Sequence, residues 1–261
     1  MTAINIVLQR ARALVLTDSL FIHGVTGRPS FFAEKCAAVH GAAMAVTARG
    51  DYRVPEMIAG RLPQLYADID SLIADEGQAV RDLYTSWVAA FGEHVFQAKV
   101  EIQIVGWSEE KRRPRGFQLV FHDTWTVAEI SDEGSAAPLP DECELDRLAL
   151  IGCGPGVHWD CSTFDPIRHG IPLMEAQRRM VLPLPTKEPA SSHIVGGHIL
   201  LTEINRDDVS QRVIHEWHDA EGVEIEPAPF VAPVIDPAEP PAGMNRQQRR
   251  AWERQNRKVA A

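Results

Sequence analysis

From Val54 to Phe91 the apolar residues recur at three- and four-residue steps, while on either side they fall in short β-branched runs. One helical block between two groups of strands leaves few folds open. Met57, Ile58, Leu62, Leu65, Ile69, Leu72 and Ile73 predict one amphipathic helix, and Val80, Leu83, Tyr84, Trp87, Val88 and Phe91 a second, separated by Asp75-Glu76-Gly77. Ahead of them, Ile4–Leu8 and Ala13–Thr17 flank a polar turn, and Cys36–His40 and Ala42–Val46 flank Gly41, so four strands are expected to open the chain. After them, 95–105 and 116–120 read as a hairpin around the charged stretch Ser108–Arg115, with another strand near 124–130. Residues 131–146 read as an acidic loop. Leu148–Gly152 reads as a buried strand running into Cys153-Gly154-Pro155-Gly156, and one short helix is expected near 172–181. Ile194–Ile204 and Ser210–Trp217 form a last hairpin. Strands that come in hairpins, not in alternating βα units, predict an α+β layered sandwich.

Charge divides the chain unevenly. The tail, residues 244–261, carries +5 of a net −10, which leaves −15 on residues 1–243. So acidic a body repels phosphate backbones, which argues against nucleic acid as its ligand, while the basic tail suits an anionic protein partner. Repeated prolines between body and tail favour extended, solvated chain. We therefore expect a folded domain over 1–222, a linker over 223–243 and a flexible or briefly helical tail over 244–261. No apolar run reaches the ~18–20 residues that span a bilayer, and Met1–Asn5 lacks the layout of a signal peptide, so a cytoplasmic protein without membrane contact is expected. The 4 cysteines form no CxxC pair, which points to reduced thiols. There is no GxGxxG or P-loop, and Cys153, His158, Asp160 and Cys161 match no common zinc spacing. His193 with His198, and His215 with His218, point to opposite strand faces. No cofactor or metal is expected.

The residues with chemistry to offer lie near the start. With Met1 removed, Thr2 would carry a hydroxyl nucleophile and, in its own α-amine, a base with a pKa near ~8. Asp18 closes the second predicted strand and Lys35 opens the third. A lysine beside the hydroxyl favours its deprotonation, and a carboxylate holds that lysine in place. Gly50, in Arg49-Gly50-Asp51, reads as a turn glycine or as a point of close backbone approach.

This set resembles the proteasome-type N-terminal nucleophile hydrolases, and most of all the bacterial proteasome-like threonine peptidase subunit. The motifs that carry the resemblance are Thr2, Thr17-Asp18-Ser19 with Gly24, Lys35, Ala48-Arg49-Gly50-Asp51 and Gly152-Cys153-Gly154. Two helices after the opening strands agree with it, and in outline it covers residues 2–217. It implies a four-layer αββα sandwich, amide or peptide hydrolysis by Thr2, supporting roles for Asp18, Lys35, Gly50 and Cys153, and assembly into a homo-oligomer. The sequence departs from the family where Cys153 stands for a strand-end serine. In Ser192-His193-Ile194-Val195-Gly196-Gly197, Ser192 and Val195 replace an Asp and a Ser, and the family's third and fourth helices read as one. The alternative expectation is a member that keeps the fold without the activity and serves assembly. The Met-Asn-Arg-Gln-Gln-Arg-Arg run resembles termini of phage-derived proteins and suits that alternative.

Overall fold

The computed structural model describes residues 2–23, 26, 28–92, 99–132, 134–150, 163–183 and 191–231. The fold is mixed α+β and is built on two antiparallel sheets of five strands each. In the first sheet, β1 (Ile4–Leu8) and β2 (Ala13–Asp18) form a hairpin in which Ile6 faces Val15. The hairpin is flanked on one side by β10 (Ser135–Ala137) and on the other by β13 (His198–Ile204) and β14 (Val209–Glu216). Every residue of β1 and β2 is buried, which explains why both read as mainly apolar runs without a polar alternation, and the buried Asn5 amide is paired with Gln177 at 2.8 Å. The second sheet is a meander of β5 (Cys36–Ala38), β6 (Met44–Arg49), β7 (Val100–Ser108), β8 (Arg113–Phe121) and β9 (Trp125–Glu129).

Strand alternation sorts side chains to two faces of this meander. Val46, Ala48, Ile102, Ile104 and Leu119 meet Val54, Ile58, Leu62, Ile69, Leu72, Val80 and Tyr84 of the helical block. Ala45 and Val105 meet Ile4, Ile6, Val15, Leu200 and Ile204 of the first sheet. Each such fully buried aliphatic side chain contributes roughly 1.5–3 kcal/mol relative to exposure. The other face of the first sheet, with Val7, Leu14, Leu16 and Leu201, packs on Met174 of α6 (Ile171–Arg179).

Several expectations are corrected. The region before the helices holds six strands, not four, because β3 (Leu20–Ile22) pairs with β4 (Pro29–Phe32), stacking Phe21 on Phe31 at 4.8 Å. The first predicted helix is three short ones: α1 (Val54–Ala59), α2 (Leu62–Leu65) and α3 (Ile69–Ala74). Pro63 starts α2, and Asp68 with Ser71 forms a capping box that restarts the chain as α3. The second predicted helix is α4 (Gln78–Phe91), entered through Gly77 at φ 64°. The hairpin loop in the second sheet is shorter than expected, since β8 already begins at Arg113.

The predicted strand at 148–152 is overturned where it is described. Glu142–Leu150 is helix α5, started by the Asp141 carboxylate accepting from the Glu144 amide at 2.9 Å, and its Leu148 packs on Leu173 and Ala176 of α6. An apolar run this short fits one helical face as well as a strand. Among the described residues this region therefore has both α5 and α6 where one helix was expected.

Beyond β14 the chain to Val231 has no helix or strand, though Ile225 is buried and Phe230 lies against Arg147 and Arg179. No helix among the described residues is long and apolar enough to cross a membrane.

Candidate functional site

Asp18 ends β2, and β1 and β2 pair so that Ile4 faces Thr17, which brings the start of the chain alongside the carboxylate. Its Oδ1 accepts from the Ala3 amide at 2.9 Å and from Lys35 Nζ at 2.8 Å. Its Oδ2 accepts from the Leu20 amide at 3.2 Å and the Gly196 amide at 3.3 Å. Asp18 is 0% exposed, Lys35 1% and Thr2 5%. A buried ion pair with every carboxylate lone pair engaged is the arrangement in which the attraction can offset desolvation.

Lys35 reaches this point because the β3–β4 hairpin carries the chain from the end of β2 to the start of β5. Its carbonyl is held by the Thr47 hydroxyl at 2.7 Å, and its ammonium sits 4.7 Å from the centre of the Phe21 ring. Burial pushes Lys35 below the ordinary lysine range, the Asp18 carboxylate opposes this, and the positive charge of Arg49 adds to the lowering. Arg49 Nη1 donates to Glu101 at 3.2 Å, while its Nε and Nη2 are buried without an acceptor.

The structure therefore joins Asp18 to Lys35 and to the amide of Ala3, the residue next to the buried Thr2. Gly50 follows β6 at φ +117°, and a Cβ there would lie 2.9 Å from the Lys99 carbonyl, so backbone packing requires glycine at this position. Cys153 and Gly24 lie outside the described residues, as do the Cys153, His158, Asp160 and Cys161 cluster and the tail. Ser192 lies in β12 (Ser191–Ser192), which pairs with β11 (Leu182–Pro183), and its hydroxyl donates to the His193 carbonyl at 3.2 Å. Among the described residues no group of three or more His, Cys, Asp or Glu could hold a metal ion. Two clefts, of about 460 and 630 Å³, open along the β5 edge and are not lined by Thr2, Asp18 or Lys35.

Sequence reasoning missed the role of Ser19, which it named only within the Thr17-Asp18-Ser19 motif: its amide donates to the Gly196 carbonyl at 3.2 Å and its hydroxyl accepts from the His198 amide at 2.9 Å. It missed also the aromatic surface beside Lys35, where Tyr52 meets Phe21 and Phe31 edge-on at 5.7 and 5.1 Å. Nothing in their spacing marks these residues, because a long hairpin and a chain reversal bring them together. Comparison with protein-family models gave no match. Comparison with curated protein sequences gave none either.

Proposed function

We propose that the protein is an N-terminal threonine hydrolase acting on amide or peptide bonds, with the sheets and helices arranged as an αββα sandwich of the N-terminal nucleophile type. The observation that carries this reading is the bridging carboxylate, Asp18, which binds Lys35 and the amide that follows Thr2 through a single oxygen. With Met1 removed, the Thr2 hydroxyl attacks the carbonyl carbon and its proton passes to the α-amine of the same residue. That proton then goes to the departing amine as the C–N bond breaks, leaving an ester on Thr2. Water, deprotonated by the α-amine, hydrolyses the ester and restores the hydroxyl. The Lys35 charge favours the alkoxide, and the Gly50 amide is assigned to the oxyanion.

A scaffold that keeps the fold for assembly is the second reading, favoured by the near-complete burial of Thr2. Intact mass, measured after treatment with an electrophile that needs both the hydroxyl and the amine of a terminal threonine, separates the two. Loss of Met1 with one adduct, absent in Thr2→Ala, is the expected result. Retained Met1 and no adduct would overturn the hydrolase in favour of the scaffold.

A further inference from the structure

The turn that carries Gly196 is held from outside the site by two charged residues that the reading above does not use. Arg178, in the last turn of α6, donates through Nη1 to the Val195 carbonyl at 2.9 Å and to Asp219 Oδ2 at 2.7 Å, and through Nη2 to Asp219 Oδ1 at 2.6 Å. Asp219 Oδ2 also accepts from the Gly197 amide at 2.8 Å. One guanidinium and one carboxylate thus grip the peptides on both sides of Gly196. Both side chains are almost fully buried, and Arg178 is further covered by the Trp217 ring at 4.8 Å. Trp217 is tied in turn to the Gly197 carbonyl at 2.8 Å and to Glu175 of α6 at 2.7 Å.

The fit is close. A Cβ on Gly196 would lie 2.5 Å from Asp219 Oδ2 and 2.8 Å from Arg178 Nη1, and one on Gly197, at φ +78°, would lie 2.2 Å from the Ser19 hydroxyl. Gly196 then presents its amide to Asp18 Oδ2 and its carbonyl to the Ser19 amide. The chain of contact runs without a gap from α6, through the turn, to the carboxylate that holds Lys35 and Ala3. A bidentate, buried arginine–carboxylate pair fixes geometry to a degree that a single hydroxyl does not.

We infer that Arg178 and Asp219 are positioning residues for the Thr2 site, aiming the Gly196 amide at Asp18. This inference rests on the hydrolase reading for its effect on reactivity, but its geometric half stands apart from it. Two measurements on the full chain separate those halves, each made on Arg178→Met, Asp219→Asn and the milder Arg178→Lys. Asp70→Asn, which weakens the distant Asp70–Arg115 pair, serves as the destabilised control.

The first is hydrogen exchange at the Ala3 and Gly196 amides, well below the melting temperature. We expect exchange faster by about tenfold or more in Arg178→Met and Asp219→Asn, an intermediate rate in Arg178→Lys, and no change in the control. The second is the rate of Thr2 adduct formation, which should fall in the same order while the variants keep the circular dichroism of the parent. Unchanged exchange in a folded Asp219→Asn or Arg178→Lys protein overturns the clamp. Faster exchange with an unchanged adduct rate overturns its role at Thr2, whereas no adduct on the parent protein is a failure of the hydrolase reading and not of the clamp geometry.

Discussion

Removing one partner of the Asp18–Lys35 pair should reveal how differently the two are supported. In Lys35→Met the carboxylate loses its ammonium but keeps three amide donors, from Ala3, Leu20 and Gly196. Breaking a buried pair from one side costs roughly 3–5 kcal/mol, and the remaining donors put this variant near the lower end, at about 3 kcal/mol. Asp18→Ala leaves a buried amine and also strands those three amides, each at roughly 1–3 kcal/mol when unsatisfied. Its cost should exceed about 5 kcal/mol, a large part of the ~5–15 kcal/mol that a domain has. In urea, at a slope of about 3 kcal/mol/M, Lys35→Met should unfold about 1 M below the parent, with Asp18→Ala lower still or unfolded. The double variant should cost less than the two singles added together, because each single counts the lost attraction once. Alkaline pH gives a second check. Burial lowers Lys35 from its ordinary 10.5, so between its folded value and 10.5 the unfolded chain binds more protons and parental stability rises with pH. Lys35→Met should lack that rise. An Asp18→Ala protein no less stable than Lys35→Met would refute the reasoning.

Gly50→Ala should lower the melting temperature by an amount equivalent to roughly 1–3 kcal/mol, since φ +117° strains an L-residue and its Cβ would meet the Lys99 carbonyl; an unchanged scan would contradict this. On the far sheet, burial pushes Asp70 up, but hydrogen bonds from Ser108 and Arg115 outweigh it and hold the carboxyl below 3.8. The hydrogen bond from Arg115 likewise holds Glu129 below 4.5. Both carboxyls have depressed folded values, so their contribution is present above the ordinary values and is lost as the pH falls below them. Arg115→Met should therefore melt well below the parent at about pH 6, and the gap should narrow progressively as the pH falls below the ordinary carboxyl values.

Much of this fold could be read in the sequence because burial imprints a period. The continuous runs Ile4–Leu8 and Ala13–Thr17 and the helical spacing from Gln78 to Phe91 come from elements whose environment is uniform along their length. The reading failed where local chemistry overrides the period. Pro63 and Asp68 break a helical stripe into pieces without disturbing its apolar face, and the Asp141 cap turns Leu148 into a helical residue. At the site, Asp18 and Lys35 were visible as charges at the ends of apolar runs, an expensive place for a charge without a partner. Arg178 and Asp219 left no such signal. An arginine in the last turn of a helix ordinarily reads as a helix-end charge, and the residue it grips lies 41 positions away.

The order of strands in the first sheet has a consequence for how the molecule is made. The second sheet and its helices lie within residues 36–129, a stretch that can pair with itself as it emerges. The first sheet cannot close in this way, because β2 must wait for β13 to cover its free edge. Asp18 and the Gly196 amide are separated by 178 residues, which at roughly 5–20 residues per second is about 10–35 s of synthesis. During that interval the carboxylate has the Ala3, Leu20 and Lys35 donors within reach of its own stretch of chain, but not its last one. A nascent chain therefore carries an unfinished carboxylate shell until Gly196 has emerged.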